Sequence, residues 1–306
     1  VNGLLSELGK SLATRWLSYL VPTSLLFLGA VGAGVVLGHQ RWYDLPAVVR
    51  RLDSLASRPG ERSLGTALAV AAGIVLLAVA TGLLVRALGG GVDRLWSGDW
   101  PRVLRWPSAQ LTRRRKARWA LADERVRDAW RAHAQLRDTP ESDRTEFGDQ
   151  EPARLIAERD QVCLVPPEGP TWAGDRVRAA DRRVLTTYGL DLGAAWPRLW
   201  LLTSEDVHAE LRTARQAYDA ASQLVAWSTL YLALAAWWWP ALLIAAATCA
   251  VGIRRGHAAM ETFCLLAESV VDLHGRHLAA ALGFPHAGPL HPGVGRNVTT
   301  QLRKDV

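Results

Sequence analysis

Few groups in this 306-residue chain have the type and spacing that chemistry needs. Asp272, His274 and His277 place two imidazoles three residues apart on one helix, a spacing that could begin a metal site. No acid or cysteine that would complete it is recognisable, so these are read as surface histidines, and His286 and His291 likewise. No metal and no cofactor are expected. HExxH, P-loop, GxSxG and paired CxxC motifs are all missing, so the expected role is non-enzymatic. Cys163, Cys249 and Cys264 are the only cysteines, and Cys249 falls within an apolar run, which excludes a disulfide scaffold.

Two polar groupings remain. Asp175, Arg178, Tyr188, Asp191 and Arg198 could line a ligand pocket. The other reading of the same stretch is a membrane-surface module. There Arg176 and Arg178 meet headgroup phosphates, Trp172, Trp196 and Trp200 form an aromatic layer, and Gly174 permits close backbone contact. Arg113, Arg114, Arg115 and Lys116 form a basic run expected to bind anionic lipid headgroups at ~1 kcal/mol each, or simply to fix topology. Nucleic acid is not the expected partner, because no recognised reading motif accompanies the run.

The elements that must position these groups begin with three uncharged apolar runs, residues 16–38, 63–85 and 220–253, each longer than the ~18 residues of a candidate span. With 49% hydrophobic residues the chain is not disordered. A net charge of +7 is read as cytoplasmic arginine that sets orientation. Only Lys10, Lys116 and Lys304 supply lysine, which points to a GC-rich bacterial genome. The third run is too long for one upright helix. Trp237, Trp238, Trp239 and Pro240 near its middle predict a tight hairpin of two short helices, about 220–238 and 240–255, with one tilted, kinked helix as the alternative. Small residues at Ala30, Gly34 and Gly38 are expected to pack the first span against the second, which repeats the spacing at Ala69 and Gly73, with a specific dimer face as the alternative. No span carries a charge, which argues against an ion-coupled carrier.

The rest reads as helical. Apolar periodicity predicts a helix over 111–137, then a loop over 138–152 and a short strand or extended segment over 161–165. A helix over 172–186 follows, with Thr171 as its N-cap, and Ser204, Glu205 and Asp206 open another that runs into the third apolar run. Over 256–282, Met260, Phe263, Leu266, Val270, Leu273 and Leu278 make an apolar face that needs a partner, either the 111–137 helix or a second copy. The tail after Phe284 is expected to be mobile. The expected architecture is thus an all-α integral membrane protein with four transmembrane helices, a mainly helical cytoplasmic part and at most a minor β element. Its parts are a two-span unit at 1–92, a cytoplasmic region at 93–222, the hairpin at 223–255, and an amphipathic helix with tail at 256–306.

The string Pro170-Thr171-Trp172-Ala173-Gly174-Asp175-Arg176-Val177-Arg178-Ala179-Ala180-Asp181, then Tyr188-Gly189-Leu190-Asp191 and Trp196-Pro197-Arg198-Leu199, carries a resemblance. It resembles a family of uncharacterised bacterial multi-span membrane proteins with the pattern PTxxGNxxRAxE, YGxD and WPRL, over about 165–283. Asp175 stands at that pattern's asparagine and Asp181 at its glutamate. The resemblance implies a helix leading into a membrane hairpin and implies no activity. The expected function is an oligomeric channel-like or membrane-perturbing effector of the bacterial inner membrane, both termini cytoplasmic, with a sensing or gating region. The alternative is an anchor or scaffold that recruits a cytoplasmic partner. Expected partners are the bilayer, further copies of the chain, and a cytoplasmic protein or small-molecule ligand.

Overall fold

The computed structural model describes residues 22–39, 44, 46, 49–50, 64–137, 150–285 and 287–304. Its regular structure is helical, and no strand occurs among the described residues. Contacts divide the chain into an apolar unit, Val1–Val92 with Asp219–Arg254, and a polar unit, Asp93–Tyr218 with Arg255–Val306.

In the apolar unit, α1 is Pro22–Leu37, and α2, Leu64–Ser97, belongs to it up to Val92, its last turn belonging to the polar unit. Among the described residues, α2 is the one helix long and apolar enough to cross a membrane, and α1 is apolar but shorter. Residues 16–21 of the first run lie outside the described residues. Most apolar side chains of α2 are exposed, with Leu68 63% and Leu76 70% exposed, although Ala78 and Val85 are buried. Helix α7, Glu205–Leu234, and helix α8, Pro240–Ala281, meet at the expected break. Trp238 N donates to Leu234 O at 3.0 Å, and Pro240 opens α8, where a missing N–H costs no helix bond. Ahead of Arg254, α8 offers only the 14 apolar residues 240–253, ~21 Å of helix against ~30 Å of hydrocarbon.

Phe27, Val85, Ala226 and Trp227 form the apolar unit's core, joining α1, α2 and α7, with Phe27 5.2 Å from Tyr231 edge to face. The small-residue stripe works differently from expectation. A Cβ on Gly34 would stand 3.1 Å from Trp238 Cβ, so Gly34 admits the hairpin turn, whereas Gly73 has nothing within 4 Å.

The polar unit contains α3, Arg105–Arg137; α4, Gln150–Val162; α5, Trp172–Tyr188; α6, Leu192–Leu202; and α9, Pro292–Arg303, besides the end of α2, the start of α7 and the latter part of α8. Its main core gathers Val184, Leu199, Leu211, Val271, Leu278 and Val298. The apolar face of α8 therefore finds its partners inside the chain. Met260, Val270 and Leu278 are buried as expected, but Leu273 is 71% exposed and falls outside that face.

Three expectations need correction. Residues 161–165 hold no strand, because α4 runs to Val162 and an irregular segment follows. The tail beyond Phe284 is a helix docked on the core, with Val298 and Leu302 buried. Its crossing over the end of α5 depends on two glycines. Gly189 has φ +69°, and a Cβ on Gly295 would stand 1.8 Å from Tyr188 O. Thr299 Oγ1 closes the crossing, donating to Gly189 O at 3.1 Å and accepting from Asp191 N at 3.0 Å. Of the loop expected at 138–152, residues 138–149 lie outside the described residues and 150–152 are instead the first turn of α4.

Candidate functional site

Helix α5 buries a face made of Ala173, Asp175, Arg176, Ala179, Ala180 and Val184, and two of these residues are charged. Asp175 lies in the first turn, where the helix dipole favours an anion. Its Oδ1 accepts from Glu168 N at 3.1 Å, from Gly169 N at 2.8 Å and from Arg178 Nη2 at 2.7 Å. Its Oδ2 lies 3.0 Å from Arg115 Nη2 without the alignment of a hydrogen bond. A carboxylate only 2% exposed is thus neutralised by two guanidinium groups, the condition under which a charge can be buried at all.

Gly169 makes the room, since a Cβ there would stand 1.9 Å from Arg178 Nη2. Arg115 reaches the site from α3 and also donates to Val162 O at 3.2 Å. Burial lowers the pKa of its guanidinium and Asp175 opposes the shift.

This charged centre meets the last turn of α2. Thr171 occupies the N-cap position of α5 but its side chain makes no cap bond; its Oγ1 donates to Trp96 O at 2.6 Å. A Cβ on Gly174 would stand 2.9 Å from Ser97 O, so α5 begins directly against α2's terminal carbonyls. Those carbonyls lack intrahelical donors and carry the negative end of the helix dipole, which the hydroxyl of Thr171 and the charge of Arg178 both complement.

Arg176 faces the other way. Its Nε donates to Glu261 Oε2 at 2.7 Å and its Nη1 to Glu268 Oε1 at 2.8 Å, while Arg183 lies 3.2 Å from Glu268 Oε2. Burial works to lower the Arg176 pKa, but the hydrogen bonds to both carboxylates outweigh it and raise the value, so the charge is permanent. Beside it lies a cleft of about 380 Å³ lined by Gln161, Cys163, Trp172, Arg176 and Glu261. Burial pushes the Cys163 thiol up, and pushes Cys264 up to about 11, so neither offers a thiolate nucleophile at neutral pH. The arrangement supplies fixed charges and a clamp on a helix end.

Of the five residues expected to line a pocket, Asp175 and Arg178 are in contact and the others have partners elsewhere. Tyr188 Oη donates to Asp272 at 2.8 Å. Asp191 caps α6 by accepting from Ala194 N at 3.0 Å and takes Arg303 Nε at 2.9 Å, and Arg198 Nη1 donates to Ala194 O at 3.0 Å. In the basic run, Arg113, Arg114 and Lys116 are exposed whereas Arg115 turns inward to Asp175. Arg176, read as a headgroup contact, is 2% exposed and faces acids. Trp200 stacks on His208 at 3.9 Å. His274 and His277 lie 6.1 Å apart, and no group of three His, Cys, Asp or Glu side chains that could hold a metal occurs among the described residues. His291 caps α9 and His286 is outside the described residues. Sequence reasoning missed Arg115, Glu261 and Glu268 as parts of the site. The signal for the last two was a pair of acids seven residues apart on an otherwise apolar helix face.

No family model, curated protein or solved structure matches the chain.

His257 lies at the edge of the site, its ring 4.5 Å from that of Trp172. Burial lowers its pKa and the Arg115 charge adds to the shift. A base whose folded pKa is depressed stays neutral while the unfolded chain takes up a proton, so stability falls as pH drops below about 6.5. His257→Gln is expected to flatten thermal midpoints of the solubilised protein between about pH 7.5 and about pH 5. Parallel slopes in the two proteins would assign the acid sensitivity to another group.

Proposed function

We propose that the chain is a non-enzymatic, multi-pass protein of the bacterial inner membrane. In this reading α1, α2 and the hairpin made by the apolar parts of α7 and α8 are four transmembrane helices, and both termini are cytoplasmic. Several copies assemble into a channel-like or membrane-perturbing effector. The observation that carries the reading is the clamp on α2: the end of the most apolar helix is held by Thr171 and by the close approach of Gly174, next to the buried pairing of Asp175 with Arg115 and Arg178. A change in that pairing, through a ligand or partner of the polar unit, moves the end of a span. The absence of charge from the apolar runs suits a pore gated by an apolar constriction better than an ion-coupled carrier.

The test is ion flux through purified protein in liposomes. Wild type is expected to conduct under some condition of voltage or lipid, and Thr171→Val, which frees the α2 end, is expected to change the open fraction. No flux from either protein under any condition would remove the channel reading and leave the anchor or scaffold.

A further inference from the structure

We infer that residues 101–106 form an interfacial foot that inserts Val103 and Trp106 into an anionic leaflet at the end of α2; this rests on the proposed reading of α2 as a span. The segment joins α2 to α3. Helix α2 closes with Gly98 at φ +92°, Gly98 N donating to Leu95 O at 3.2 Å and Asp99 N to Arg94 O at 2.9 Å, the bond pattern of a Schellman stop. The Trp100 indole N–H then donates to Leu95 O at 2.9 Å, so the linker folds back on the last turn of α2. A 3-10 turn, Arg102–Leu104, follows with no buried residue, and α3 starts at Arg105.

What this turn presents is unusual for a water-facing surface. Val103 is 88% and Trp106 is 80% exposed, three residues apart and so on one side of the turn. Arg102 and Arg105, equally spaced and both exposed, flank them, and Arg94 is exposed one turn before the end of α2. Val103 lies six residues beyond Ser97, so it can be no further than ~20 Å from the end of α2 even if the chain were fully extended. An indole and a branched aliphatic chain beside guanidinium groups at a span's end match the composition of a membrane interface. There the ring settles at the headgroup level and arginine pairs with phosphate. The occupant is therefore an anionic phospholipid surface. Arg113, Arg114 and Lys116 extend the basic character along α3.

The probe is an environment-sensitive fluorophore on a single cysteine in the full chain, with Cys163, Cys249 and Cys264 replaced by alanine. The protein is reconstituted in phosphatidylcholine vesicles with or without phosphatidylglycerol and with spin-labelled quencher lipid. A label at Trp106→Cys is expected to lose most of its fluorescence to the quencher in the anionic vesicles and clearly less in the neutral ones. A label at Leu273→Cys should lose none, since α8 runs unbroken for ~30 Å beyond Ile253. A label at Leu76→Cys reports the span. Quenching at 76 with none at 106 overturns the foot alone, and quenching at 106 that is equal in the two lipids overturns its anionic partner. No quenching at 76 overturns the reading of α2 as a span. Should the cysteine replacements prevent folding, hydrogen exchange of the unsubstituted protein in lipid nanodiscs decides. Amides of 102–106 must exchange more slowly in phosphatidylglycerol discs than in phosphatidylcholine discs, and equal rates reject the foot.

Discussion

Asp175→Ala is expected to destabilise the polar unit by about 3–5 kcal/mol, the usual cost of leaving partly buried charge without its counter-charge. The substitution removes every interaction of the carboxylate at once. Arg115, only 16% exposed, loses its one buried anion, Arg178 loses its acceptor, and the amides of Glu168 and Gly169 are left facing an apolar methyl group. Asp175→Asn discriminates among these terms. Its amide oxygen can still accept from both backbone amides and from Arg178, so only the charge opposite Arg115 is lost, and the expected cost is well under that of alanine. Arg115→Leu in the Asn background should then cost less than it does in wild type, because the pair no longer exists to be broken. Denaturant unfolding of the four detergent-solubilised proteins measures the cycle. Hydrogen exchange at residues 94–98 reads whether the end of α2 loosens with the site. Alanine and asparagine variants equal to each other and to wild type would mean that the centre holds nothing.

The helices that sequence made legible are those whose boundaries carry local chemistry. Ser204 followed by Glu205 and Asp206 marks the start of α7, and Pro240 after three tryptophans marks the start of α8, because capping and a missing N–H act within a few residues. The same locality hid α9. Its glycines, proline and histidine read as a loose tail, although Val294, Val298 and Leu302 recur at four-residue spacing and are the residues that pack it onto the core. Helix α4 was masked by Pro152, which lies in its first turn and so does not interrupt it.

The charged centres were less legible for a different reason. Local patterns assign an arginine-rich stretch to the surface, and the acids that draw Arg176 inward are 85 and 92 residues away in sequence. Arg115 was one of four basic residues in a row, and nothing within the run distinguishes the one that meets Asp175. The α3 helix does distinguish it. Arg115 and Trp119 are one turn apart on the side that meets the end of α4, where Trp119 Nε1 donates to Cys163 O at 2.9 Å. Tyr188 and Asp191, grouped in the sequence with Asp175, Arg178 and Arg198 as a possible ligand pocket, have other partners, Asp191 as the cap of α6 and Tyr188 as a donor to Asp272 of α8.

Arg176 is the second centre whose loss should be large, and its substitutions separate charge from shape. Arg176→Met keeps much of the volume and the apolar stem but leaves Glu261 and Glu268 without their shared cation. A cost of about 3 kcal/mol is expected, below the sum of two charged hydrogen bonds, because Glu261 is 38% exposed and Glu268 keeps Arg183. Arg176→Lys should recover only part of this. One ammonium group can reach one carboxylate, whereas the guanidinium spans two carboxylates seven residues apart on α8 and thereby fixes where α5 sits along it. If registry is the role, Arg176→Met combined with Glu268→Gln will regain stability yet still leave exchange at residues 172–180 faster than in wild type. If the arginine only neutralises acids, removing the acid will restore both. Unfolding by urea and hydrogen exchange on the same four proteins distinguish the two. The outcome bears directly on the clamp, since Asp175 and Arg176 are adjacent on α5, and an α5 free to slide along α8 would carry Thr171 away from the carbonyl of Trp96.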